Sequence, residues 1–145
     1  ALLGFVFTQC QAPAPQEAPH EEVELANLMG TLQRHTHKLG IALHHTNWAL
    51  ADFYAHEVEE VLEEIETTVP TYDGMPIANL TKTIMAPLHE TLESEIKAKQ
   101  DKTIWATYES FVNGCNRCHA ASEHEFIRIL PSHQNPFNQE FAPAP

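Results

Sequence analysis

From Glu21 onward the apolar residues of this chain recur every three or four positions rather than every second one, which restricts it to packed helices. Leu25, Leu28, Met29, Leu32, Leu39 and Leu43 form one face of a first helix over 21–44. Glu21, Glu22 and Glu24 fall in its first turn, where acidic groups suit the helix dipole. A second helix over 47–68 places Leu50, Tyr54, Val58, Val61, Leu62 and Ile65 inward and ends before Pro70 and the turn-like Tyr72-Asp73-Gly74-Met75-Pro76. A third over 77–99 carries Ile77, Leu80, Ile84, Leu88, Leu92 and Ile96, with Pro87 as an expected kink. The fourth starts near Asp101, a candidate cap, and runs through Ile104, Tyr108, Phe111, Val112, Cys115, His119, Ser122 and Phe126 as far as Ile129. Four such stripes with short connections predict an all-α, antiparallel up-down-up-down four-helix bundle over 21–130. A length of 145 residues and 43% hydrophobic content suit one domain with a real core, without internal repeat.

The chemistry is concentrated in Cys115-Asn116-Arg117-Cys118-His119. Two thiols three residues apart can each add to a vinyl group on one edge of a porphyrin, while the adjacent imidazole ligates the iron. Cys115 and Cys118 are therefore candidate thioether carriers of one covalent haem c, and His119 is the candidate proximal ligand. A disulfide, a redox dithiol and half of a zinc site are the alternatives. The dithiol belongs in a βαβ pattern, whereas this region reads as helix, and the zinc site wants a second soft pair, whereas the only other cysteine is Cys10. Helices of about 20 residues are about 30 Å long, enough to bury a haem edge-on.

A four-helix bundle of this length with Cys-x-x-Cys-His on its last helix resembles the cytochrome c′ and cytochrome c-556 group over roughly residues 21–129. The resemblance implies a bundle haem with His119 on one side and a first-helix residue facing the other. It also implies two functions and a pairing mode: five-coordinate members bind NO or CO, six-coordinate members carry electrons, and cytochromes c′ often form homodimers through their first two helices.

If first and last helices are antiparallel neighbours, counting back the rise from the start of helix four to His119 reaches the turn from Met29 to Leu32. Met29 as distal ligand would give a six-coordinate iron of raised potential. Leu32 in that place would leave an apolar open side. His35, one turn past Leu32, is a third candidate and would lower the potential. The chain has ten histidines, with His35, His37, His44 and His45 close together, but i, i+1 and i, i+2 pairs do not share a helix face, which argues against a helical metal chelate. Arg117, Arg128 and Lys102 are candidate partners for haem propionates. Trp48 and Trp105 read as core filling.

The two ends differ from the middle. Residues 1–20 open apolar, stop at Cys10 and continue Pro/Ala-rich, as expected of a signal-peptide remnant and a flexible spacer. Cys10 resembles the lipidated cysteine of a bacterial lipoprotein, although Gln9 before it is larger than such sites usually show. Residues 131–145 hold four prolines with Phe137 and Phe141 and should form an extended tail. Covalent haem and an export signal together place the protein in the periplasm or cell envelope, with membrane attachment only through a lipid on Cys10. The net charge of −12 argues against nucleic acid and anionic membranes. It favours redox partner proteins with a basic docking face, steered by the acidic run from Glu57 to Glu66. No catalytic acid, base or nucleophile constellation is evident, so the expected role is electron transfer rather than enzymatic catalysis, with gas binding at an open iron as the alternative.

Overall fold

The computed structural model describes residues 21–145, with side chains from Leu25 onward. The expected signal remnant, the spacer and Cys10 lie outside the described residues. The chain folds as four helices: α1 (Glu21–His44), α2 (Trp48–Thr68), α3 (77–97) and α4 (Ile104–Ala121). Among the described residues there is no strand, only an isolated bridge between Tyr72 and Met75 in the α2–α3 turn. Each helix packs on two others, α1 and α3 both contacting α2 and α4. Leu39, Val58, Ile65, Leu92, Ile96, Phe111 and Val112 are completely or almost completely enclosed between them. Each such side chain contributes roughly 1.5–3 kcal/mol by leaving water.

Local chemistry explains most boundaries. Asn47 caps α2 by accepting from the Leu50 N–H at 3.2 Å. Val69 precedes Pro70, which disfavours a further helical residue. Asp73 and Gly74 both take positive φ, 48° and 79°, and so reverse the chain into α3.

Helix α3 departs from the expected pattern. Ile77–Leu80 and Ala86–Lys97 are α-helical, but Thr81–Met85 between them is a π-helical turn, closed by Ala86 N–H donating to Thr81 O. Pro87, the expected kink, stands directly after this wider turn, where its ring crowds the carbonyl four residues back. The extra residue re-registers the inward stripe. Ile77, Thr81, Met85 and His89 are buried, while Leu80, Ile84 and Leu88, expected inside, are only half-buried.

Helix α4 is shorter than its apolar stripe suggested. It begins at Ile104, with Thr103 rather than Asp101 at the N-cap position, and stops at Ala121 instead of reaching Ile129. The stop is a Schellman arrangement: Glu123 adopts φ 62°, His124 N–H donates to His119 O at 2.7 Å and Glu123 N–H to Ala120 O at 3.4 Å. Residues beyond it run back along α4.

The tail is extended, as expected, but it is bound across α1 and α2. Phe141 is 0% exposed and part of the core. Asn47 Nδ2 donates to the carbonyls of Phe141 and Ala142 at 3.0 and 3.2 Å, Tyr54 Oη to Gln139 Oε1 at 2.9 Å, and His37 Nε2 to Gln134 O at 2.9 Å. Gly40 permits this approach, because a Cβ there would lie 2.5 Å from Tyr108 Oη and 2.6 Å from Ser132 O. Alanine would gain about 1 kcal/mol of helix propensity at position 40, but crowding a packed site costs about 1–3 kcal/mol. Gly40→Ala is therefore expected to lower the urea midpoint with an unchanged m-value; a raised midpoint would contradict the close approach.

Candidate haem site

Cys115, Cys118 and His119 stand at i, i+3 and i+4 on α4, so one helix face presents all three. That face borders a cavity of about 340 Å³, within the size range of ligand sites. α1 contributes Ala26, Met29, Gly30, Leu32, Gln33 and Thr36 to its wall; α2 adds Leu62 and Ile65. α3 supplies Ile77, Leu80, Thr81 and Met85, and the segment after α4 closes the wall with Ile127 and Ile129. All four helices thus meet at one largely apolar chamber.

Both thiols are free and half-buried. Burial pushes the Cys115 thiol up to about 12, with the neighbouring Cys118 adding to the effect. Burial likewise raises Cys118 to about 11, against the opposing pull of the Arg117 guanidinium.

His119 is half-buried, and its Nδ1 lies 2.9 Å from Ile127 O. A carbonyl only accepts, so Nδ1 carries a proton, and in the neutral ring Nε2 then holds the lone pair, the tautomer required of a metal ligand. Two cysteines, a tautomer-fixed histidine and apolar walls are the set that a covalent haem requires, and the residues present fit it.

The structure brings Met29 and Leu32 to the same wall, Met29 half-buried and Leu32 buried. His35, the third distal candidate, is not on it. Its ring faces α2, with Nε2 3.9 Å from Glu57 Oε2 and its centroid 6.1 Å from that of Tyr54; desolvation lowers its pKa, with Glu57 opposing. Three residues past Leu32, it is rotated about 60° around the helix from that wall residue. Arg117 is exposed and also absent from the wall. Of the remaining clustered histidines, His37 binds the tail, while His44 and His45 stay in edge contact with centroids 5.6 Å apart and His44 also stacks on His133 at 4.2 Å.

Three features escaped the sequence reading. Met85 and Thr81 enter the wall only because of the π-turn, which Pro87 signals without revealing its register. Ile127 and Ile129 were assigned to a helix, and become wall residues because the chain turns back at Glu123. Gly114 lets α3 approach the motif: a Cβ there would collide with Leu88 and lie 3.1 Å from Met85 Sδ. No protein-family model matches the chain, and neither a characterised protein nor a solved structure matches it.

Proposed function

We propose that this protein is a monohaem c-type cytochrome, an antiparallel up-down-up-down bundle that carries electrons in the periplasm or cell envelope. The observation that carries the reading is the convergence of Cys115, Cys118 and His119 on one apolar cavity walled by all four helices. Cys115 and Cys118 would hold haem c through thioethers, His119 Nε2 would be the proximal ligand, and Met29 is the candidate distal one. Bound there, the group supplies a one-electron iron couple. The chain does the rest: apolar walls exclude water, Ile127 O fixes the His119 tautomer, and a thioether from Met29 would raise the potential. Acidic side chains along α2, from Glu57 to Glu66, suit a partner with a basic face.

Leu32 sustains a second reading. It shares the wall with Met29, and a chamber in which Leu32 rather than Met29 faces the iron would leave an open apolar side for NO or CO.

Optical spectra of the ferric and ferrous protein, with and without CO, separate the two. The expected result is a sharp low-spin ferrous spectrum indifferent to CO, converted by Met29→Ala to one that shifts on CO addition. A high-spin wild-type spectrum that shifts with CO would transfer the assignment to gas binding. Absence of haem bands would sink both.

A further inference from the structure

The segment following α4 is secured in an unusual way. After the reversal at Glu123 the chain runs back beside the Cys-x-x-Cys-His motif, and three hydrogen bonds tie residues 125–130 to α4. One is the His119 Nδ1 donation to Ile127 O. The other two come from a single side chain: Asn116 Nδ2 donates to Ile129 O at 2.9 Å, and Asn116 Oδ1 accepts from Ile129 N–H at 2.7 Å. An Asn amide offers one donor edge and one acceptor, and so can satisfy both backbone groups of one residue. Ile129 packs partly buried against the core, whereas Phe126, Ile127 and Leu130 are 75%, 42% and 72% exposed.

We infer that Asn116, inside the motif, is a positioning residue for His119: by clamping Ile129 it holds the Ile127 carbonyl against Nδ1. This rests on the haem reading above. The clamp sits two residues from the carbonyl it places and three from the histidine it serves, so the motif both supplies the proximal ligand and builds its hydrogen-bond partner. Such a partner orients the ring, fixes the tautomer and makes Nε2 a stronger donor to iron. Arg117, the motif's other variable position, is exposed and has no part in the clamp.

The test compares wild type, Asn116→Ala and Asn116→Asp, each matured with haem. Asp keeps the acceptor for Ile129 N–H and loses the donor to Ile129 O. A pyridine haemochrome assay first establishes covalent haem in each. Each is made on the Met29→Ala background, which opens the distal side, the ferrous proteins are then treated with NO, and the ratio of species that have lost the proximal histidine to those retaining it is read from absorbance and electron paramagnetic resonance. Loss of a ligand's supporting hydrogen bond weakens metal binding about 10- to 100-fold, so the ratio should rise by about that factor in Asn116→Ala and by less in Asn116→Asp. Amide exchange at Ile129 should accelerate alongside. An unchanged ratio with haem attached and Ile129 deprotected would overturn the role of Asn116 while leaving the cytochrome reading intact. Wild-type protein without haem would sink that reading itself. If Asn116→Ala fails to accumulate, the near-isosteric Asp variant decides alone, and a wild-type ratio there overturns the inference.

Discussion

Protein carrying Cys115→Ala and Cys118→Ala is expected to release all of its haem into acidified acetone, whereas the wild type keeps it in the protein fraction. The thiols reach the cavity from one helix face, an arrangement that would let each add to one vinyl group of a haem seated there. Each single variant should retain one thioether and still hold the group covalently, with a shifted pyridine haemochrome band that reports one unsaturated vinyl. The double variant keeps His119 and the chamber, so residual binding becomes reversible and is lost on acid extraction. Haem that resists extraction from the double variant would contradict the proposed attachment. Free thiols titrating at positions 115 and 118 of the mature wild type would do the same.

Phe141→Ala should be among the most damaging substitutions outside the haem site. The ring is wholly enclosed, its centroid 6.4 Å from that of Tyr54, and its carbonyl accepts from Asn47, the residue that caps α2. Removing a buried Phe side chain typically costs about 3–5 kcal/mol, a large share of the roughly 5–15 kcal/mol that holds an ordinary domain folded. Guanidinium unfolding followed by circular dichroism should show the midpoint fall accordingly. Neighbouring tail contacts amplify the loss, because Gln139, Phe137 and Gln134 dock on the same face through Tyr54, Lys38 and His37. A change under about 0.5 kcal/mol, the size of an ordinary surface substitution, would mean that the tail does not contribute to the core.

Residues of opposite local character explain why some features were legible and others were not. The four stripes are written in local periodicity, and α1 runs over the expected 21–44 because Gly30 and Gly40 each weaken a helix by only about 1 kcal/mol and no proline interrupts it. The motif was equally legible, since i, i+3 and i+4 spacing on a helix places Cys115, Cys118 and His119 together whatever surrounds them. The end of α4 was not, because its left-handed residue is Glu123 rather than the glycine or asparagine that marks such a stop. Nor was the middle of the inward face of α3, because the π-turn shifts the register there: Thr81, Met85 and His89 take the buried positions expected of Leu80, Ile84 and Leu88, whereas Ile77, Leu92 and Ile96 are buried as expected. The tail reads as polar and proline-rich, and only the pocket waiting for Phe141 distinguishes it from a free end.

The sequence by itself determined the helical class, the helix spans apart from the end of α4, and the helix face bearing two thiols and a histidine, because each depends on neighbours within about one turn. Tertiary structure decided which α1 residues share a wall with that face, that His35 turns to α2, that Ile127 O meets His119 Nδ1, and that the tail straps the bundle. Those outcomes depend on how helices rotate and pack against one another, and such rotations are set by the summed fit of side chains distant in sequence rather than by any local pattern.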